Sequence, residues 1–303
     1  MKKSMMVSFV LALSILLSAC GAQAPASTGA GAVTVTDMAG REIVLEQPAA
    51  RIVAVTSSDV EILYAIGAGN TIVGRGIYCD YPGEVLDIPV VESGLNLNVE
   101  QVMALQPDIV LMSTAVEGSE QARALEGAGV KVAASDTHDI EGMYDAIGLI
   151  GAIAGKDAEA KALIDGMKQS FAEIEEKSAG AGDKTIYFEI SPLEYGLWTA
   201  GRGTFMDEIA TMLGLVNTFA DVDEWGEISA EQVIQRDPDY IVTVAMYFGE
   251  GPGPVEEILS RAGWENITAI QNGAVFSMDN DEIARPGPRL VNAAETLYAF
   301  TRG

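Results

Sequence analysis

Asn98-Val99-Glu100-Gln101-Val102-Met103-Ala104-Leu105-Gln106-Pro107-Asp108-Ile109-Val110 is answered by Ser229-Ala230-Glu231-Gln232-Val233-Ile234-Gln235-Arg236-Asp237-Pro238-Asp239-Tyr240-Ile241, at an offset of 131 residues from Glu100 to Glu231. A second match pairs Glu61-Ile62-x-x-x-Ile66-Gly67-x-x-Asn70-Thr71 with Glu208-Ile209-x-x-x-Leu213-Gly214-x-x-Asn217-Thr218, at an offset of 147. Both matches keep the same order in both halves, so the chain carries one unit twice. Asn98 and Ser229 have the chemistry of helix caps, with Glu100 and Glu231 in the first turn that follows. Pro107 and Pro238 end those helices, and the apolar runs after them begin buried strands. Ser58 or Asp59 caps a further helix that stops at Gly67.

Other buried-strand runs are residues 51–55, 130–133 and 185–190. Strands alternating with helical stretches predict an α/β fold: two similar lobes with mainly parallel sheets and a ligand cleft between them. Between the repeats, residues 157–177 place Ala160, Leu163, Ile164, Met167, Phe171 and Ile174 at helical spacing, which predicts one long connecting helix. The expected boundaries are an N-terminal lobe over 33–154, a connecting helix over 155–180 and a C-terminal lobe over 181–303. The two offsets differ by 16 residues, an insertion in the first lobe between Asn70 and Glu100 that includes Tyr78 and Tyr81. Insertions of this kind lie on the surface, where binding loops are found.

Residues 1–20 (MKKSMMVSFVLALSILLSAC) have two lysines, then a short apolar run too brief for a membrane span. The stretch reads as a signal peptide over 1–19, and its ending resembles the bacterial lipobox, with Cys20 as the lipidated first residue. Residues 20–32 supply that cysteine and a Gly/Ala/Ser-rich flexible tether. The expected product is exported and lipid-anchored to the outer face of the cytoplasmic membrane, or its periplasmic side in a two-membrane cell. The formal charge of the 303-residue chain is −26, and removal of Lys2 and Lys3 deepens it to −28. Such a body is repelled by phosphate backbones, which argues against nucleic acid as a partner. The single His138 cannot furnish a His-rich cage for a free metal.

The lipobox, DMAGREIVLEQPAARIVAV (37–55), NVEQVMALQPDIVL (98–111), SAEQVIQRDPDYIV (229–242) and ARPGPRLVNAAETLY (284–298) together resemble the solute-binding lipoproteins of ABC importers. The resemblance is to the group for iron-siderophores, haem and cobalamin, and it spans residues 34–298. It implies a rigid two-lobed receptor, monomeric, that clamps a metal chelate and delivers it to a permease driven by a separate ATPase. It also implies that one surface Glu per lobe docks on the permease, and Glu100 and Glu231 hold the matching positions. No resident cofactor is expected; the metal, iron or cobalt, arrives within the cargo. The cargo stays open between an iron-siderophore and a corrinoid, with haem less favoured.

A large chelate calls for aromatic platforms and a few directional polar groups. Ligands of open α/β sheets bind beyond strand carboxyl ends. The candidates in loops so placed are Tyr78, Tyr81, Tyr195, Trp198, Trp225, Tyr247 and Phe248. Arg is scarce, and Arg202, Arg285 and Arg289 are the candidates for binding ligand oxygens. A loop histidine such as His138 is more often solvated than ligating, and a lone thiol such as Cys79 is more often inert. Asp221-Val222-Asp223 opens like a calcium loop, but Trp225 and Gln232 stand where ligands belong. Gly201-Arg202-Gly203 lacks the Gly-Lys-Ser/Thr of a phosphate loop. An exported hydrolase is the alternative reading, opposed by the lack of G-x-S-x-G, H-E-x-x-H or a Cys/His pair; a surface structural lipoprotein is another.

Overall fold

The computed structural model describes residues 31–93, 97–113, 119–180, 182, 184–246, 249 and 251–302. Cys20, Tyr247 and Phe248 lie outside the described residues. A short antiparallel hairpin, β1 (Val33–Thr36) and β2 (Glu42–Leu45), precedes the first lobe. That lobe holds β3 (Ile52–Ala54), α1 (Ser57–Ala65), β4 (Ile72–Gly76), β5 (Val90–Val91) and α2 (Val99–Ala104). It continues through β6 (Ile109–Met112), α3 (Glu120–Gly127), β7 (Lys131–Ala134) and α4 (Ile140–Ala154). Its sheet is parallel throughout, in the order β5-β4-β3-β6-β7.

Helix α5 (Asp157–Ser178) leads to the second lobe. There β8 (Thr185–Glu189), β9 (Leu197–Ala200), α6 (Phe205–Met212), β10 (Val216–Asn217), β11 (Trp225–Ile228), α7 (Ala230–Arg236) and β12 (Tyr240–Thr243) follow. The chain ends through α8 (Pro254–Leu259), α9 (Thr268–Gln271), β13 (Val275–Ser277), α10 (Asn280–Ile283) and α11 (Leu290–Arg302). The second sheet is mixed: β10, β8, β12 and β13 pair in parallel, while β9 and β11 add an antiparallel flank.

The repeat is visible atom by atom. Asn98 and Ser229 each accept a hydrogen bond from the amide of the third residue on, Gln101 at 3.1 Å and Gln232 at 3.2 Å. Both helices unwind at a left-handed residue before the proline, Gln106 (φ 48°) and Asp237 (φ 46°). The following aspartates then clamp the start of a neighbouring strand. Asp108 accepts from the amides of Ala50 and Arg51, and Asp239 from the amide and hydroxyl of Thr185. Helices α1 and α6 match in the same way. The cap of α1 is Thr56, two residues before Ser58 and three before Asp59, the caps read from sequence; its counterpart in α6, which is one residue shorter, is Thr204. Each helix is followed by a left-handed glycine, Gly67 (φ 71°) or Gly214 (φ 68°), whose amide satisfies a last-turn carbonyl.

Each sheet alternates with period two between an outer and a shared face. Val53, Val110 and Val132 pack under α2 and α3, and Tyr187 and Ile241 pack under α7, α8 and α9. Ile52, Ile109 and Leu111 of the first lobe join Ile186, Phe188 and Val242 of the second in one continuous apolar core. That core includes Met167, Phe171 and Ile174 of α5, which therefore runs as a packed strut. At ~1.5 Å per residue its 22 residues span roughly 33 Å. A Cβ at Gly151 of α4 would stand 2.4 Å from the Ala160 methyl, so glycine is what lets α4 and α5 approach so closely.

Candidate functional site

A cavity of about 490 Å³ lies between the lobes. Its lining comes from chain just beyond strand carboxyl ends: Thr56 to Asp59 after β3, Ser135 to His138 after β7, Ile190 after β8 and Val244 after β12. This is where parallel α/β sheets place ligands, because the strand ends and helix starts leave a crevice there. The start of α6 and the segment from Asn280 to Pro286 complete the second-lobe side.

The first-lobe wall is polar. The Asp59 carboxylate is buried and accepts hydrogen bonds from the hydroxyls of Thr56 and of Ser135, the latter at 2.8 Å. Burial pushes its carboxyl up to about 7, over the lowering effect of those hydrogen bonds, and the charge of Asp136 adds to the rise. Asp136 itself accepts from the Ser113 hydroxyl at 3.0 Å. Thr137 is only 9% exposed, and its hydroxyl has no hydrogen-bond partner. The second-lobe wall is mainly apolar, Ile190, Phe205, Met206, Trp225 and Val244, with the Phe205 and Trp225 rings tilted against each other at 5.5 Å; Asn280 and Arg285 are its polar members.

Of the residues singled out from sequence, Trp225 and Arg285 line this cavity, and so does the exposed His138. Trp225 and Trp198 are corrected from loop to strand, since they sit on β11 and β9, the antiparallel flank of the second sheet. Trp198 stands opposite Glu227 there and is not among the lining residues. Tyr78 is 74% exposed, and its carbonyl accepts from the hydroxyl of Ser57, a lining residue. Tyr195 is 73% exposed on a short turn after β8. Arg202 pairs with Asp223 on the surface, outside the lining. Tyr81 lies under the Arg289 guanidinium, 4.2 Å from ring centroid to Cζ. Cys79 is buried next to Ser57, and burial pushes its thiol up to about 11, so little thiolate forms at neutral pH. Among the described residues no group of three or more His, Cys, Asp or Glu is arranged to hold a metal.

The two arginines of the 284–298 stretch tie the lobes together. Arg289 donates to both oxygens of the buried Glu61, at 2.8 and 2.7 Å. Arg285 lies 2.6 Å from Asp80, 2.7 Å from Asp281 and 3.5 Å from Glu61. The repeat-equivalent Glu208 crosses the interface in the opposite direction, accepting from the amide of Ile140 at the start of α4 at 2.7 Å. Sequence reading did not assign these two glutamates a role, although the second repeat match already aligned them. It also left out Asp59 as a cavity residue, together with Ser135 and Phe205. For Asp59 and Ser135 the signal was position alone, just past a predicted strand; Phe205 follows β9, which the sequence does not mark as a strand.

Glu100 and Glu231 are exposed in the first turns of α2 and α7, and neither enters an ion pair among the described residues. Both helices lead directly into parallel strands, β6 and β12. Their N-termini therefore lie toward the strand carboxyl ends, the side on which the cavity opens.

Two α/β lobes on a packed strut, with a cleft at the strand ends, are the build of a two-lobed binding protein. The chain belongs to the periplasmic binding protein family, which is matched over residues 52–282. It is 30% identical over 301 residues to the uncharacterized ABC transporter substrate-binding lipoprotein YvrC of Bacillus subtilis, covering 95% of this chain and 93% of that protein. It is 28% identical over 253 residues to a vitamin B12-binding protein of Salmonella choleraesuis, covering 82% of this chain and 89% of the other. Among solved structures, a possible iron-binding (periplasmic solute-binding) protein from Staphylococcus epidermidis superposes with a TM-score of 0.74 at 29% identity, covering 85% of this chain and all of that one. Among the described residues no helix is long and apolar enough to cross a membrane.

Proposed function

We propose that this protein is the extracytoplasmic solute-binding lipoprotein of an ABC importer. It captures a metal chelate, an iron-siderophore or a corrinoid, in the cleft and delivers it to a membrane permease. The observation that carries this reading is the cleft itself, with a tilted aromatic pair on one wall and hydrogen-bonding groups on the other. Aromatic faces hold a large apolar body while a few polar groups fix its orientation. The relatives named above support both the importer and the chelate. The protein acts by binding and release, without turnover. Export, the Cys20 lipid anchor and the monomeric state belong to the same proposal.

The test is a thermal-melt panel of ferric hydroxamates, ferric catecholates, haem and corrinoids on the purified body. At tens of micromolar a cognate chelate raises the melting temperature by several degrees, as linkage requires. If no member of the panel shifts it, the reading fails. Delivery is tested separately. Glu100→Ala combined with Glu231→Ala abolishes cellular uptake and leaves chelate affinity intact, because two exposed anions at equivalent positions suit a two-fold partner. Lost affinity in that variant would place the pair in the cleft instead.

A further inference from the structure

The arginines around the cavity are all engaged by acids of the protein itself. Asp59 and Asp136 both line it, on the first-lobe wall. Among the described residues Arg285 is the one Lys or Arg in the lining, and it already contacts Asp80, Asp281 and Glu61. Arg289 is engaged by both oxygens of Glu61, and Arg202 by Asp223. A carboxylate entering the cleft would lose its water next to two acids and meet a guanidinium that three other acids already neutralise. An amide or hydroxyl entering at the same place would find carboxylate oxygens to accept its protons. It would also find the Thr137 hydroxyl, which is buried without a partner and free to donate or accept.

We infer that the cleft selects an uncharged or cationic chelate whose rim presents amide or hydroxyl donors to the Asp59, Asp136 and Thr137 wall. It rejects chelates that bear carboxylates or a net negative charge. This deepens the receptor reading and rests on it. The discrimination is built from repulsion as much as attraction: the wrong cargo is left with a desolvated, unpaired charge. The apolar wall of Phe205, Met206 and Trp225 contributes equally to both kinds of chelate, so it sets affinity without sorting by charge.

Titration calorimetry of the purified body at pH 8, where Asp59 is ionised, tests this with pairs matched in size. One pair is a neutral ferric trihydroxamate and the trianionic ferric tricatecholate. The other is cyanocobalamin and its monocarboxylic acids, in which one peripheral amide has become a carboxylate. In whichever pair binds, the neutral member binds at least about tenfold more tightly. Asp59→Asn combined with Asp136→Asn narrows that ratio by at least about fivefold, mainly through gain by the anion. Equal or tighter binding of the anionic member, or of haem over both neutral chelates, overturns the inference, and so does an unchanged ratio in a folded double variant. The wild-type comparison decides the matter even if that variant does not fold. If no chelate of either charge binds, it is the receptor reading that falls, and this one with it.

Discussion

Ser57 and Ser58 open α1 on one side of the cleft, and Phe205 and Met206 open α6 on the other. The two pairs occupy the same positions after equivalent threonine caps, Thr56 and Thr204, and both line the cavity. The next residue in each helix is an aspartate. Asp59 turns to Ser135 within the cavity wall, whereas Asp207 accepts from Asn217 inside the second lobe. The duplicated unit thus kept its caps, its left-handed helix ends and its strand clamps, where backbone groups must be satisfied whatever the cargo. It diverged at the first helical positions, which line the cleft in both lobes: Ser57 and Ser58 are partly exposed there, whereas Phe205 and Met206 are buried against the shared core. One wall became polar and acidic, the other apolar and aromatic.

The lobes also differ in how each holds the other, and here the largest loss of stability is expected. Glu61 is buried and carries a bidentate guanidinium, while its counterpart Glu208 accepts one backbone amide. Truncating one partner of a buried ion pair strands the other charge, at about 3–5 kcal/mol. Glu61→Ala is therefore expected to lower unfolding stability by about 3 kcal/mol, near the bottom of that range because Arg289 keeps the Asp281 carbonyl. Urea unfolding measures it. A loss below about 1 kcal/mol would show that the ion pair is no more than a surface contact.

The next prediction concerns the polar wall. The Asp59 carboxyl rises from the model-peptide 3.8 to about 7 because burial disfavours its charge. The folded state then holds a proton that the unfolded chain releases, so this group's contribution to stability falls as pH climbs from about 4 to about 7 and is level beyond. The shift corresponds to a penalty on the order of 4 kcal/mol at pH 8. Asp59→Asn removes it while keeping the shape, and is expected to stabilise by roughly 2–4 kcal/mol at pH 8 and by little at pH 4. Denaturant titrations at the two pH values check this; an equal effect at both would tie the change to packing.

On the apolar wall, Trp225→Ala removes the ring that meets Phe205 and lines the cavity. A buried aromatic anchor is worth about 2 kcal/mol, so chelate affinity should fall roughly 30-fold, with Trp225→Phe retaining most of it. Calorimetry on the chelate that binds wild type reads both variants. Equal affinity in Trp225→Ala would shift the platform to the exposed Tyr78 or Tyr195.

The fold was legible because its signals are local and doubled. Caps, prolines before strands and apolar alternation each act within a few residues, and the repeat shows every one twice. The cleft was legible only in outline. Trp225 and Arg285 could be named because large aromatics and scarce cations stand out. The cross-lobe partners of Arg285 and Arg289 could not, since Glu61 and Asp80 lie more than two hundred residues away in the chain. Nor does sequence tell a solvated acid from a desolvated one: Asp59 and Asp207 look alike until the strands bring Ser135 to one and Asn217 to the other. The Trp198 and Trp225 strands were missed because each is a four-residue antiparallel segment, one bracketed by Gly196 and Gly201 and the other interrupted by Gly226, with too little alternation to register.

The smallest expected effect sharpens the asymmetry between the two interface glutamates. Glu208 is half-buried, and burial raises its carboxyl while the Ile140 amide and the neighbouring acids Asp139, Asp207 and Glu141 pull in opposite directions. Its one interface bond caps α4 beside Asp139, which already accepts from the amide of Gly142 at 2.7 Å. With a second acceptor at the same helix start, and an amide oxygen able to replace a carboxylate oxygen, Glu208→Gln should cost no more than about 1 kcal/mol. Because the folded carboxyl is raised, loss of the charge should be better tolerated at pH 8 than at pH 5, where Glu208 holds more of its proton when folded. A cost at pH 8 as large as that of Glu61→Ala would mean that both glutamates are primary ties, and that the lobes are held symmetrically after all.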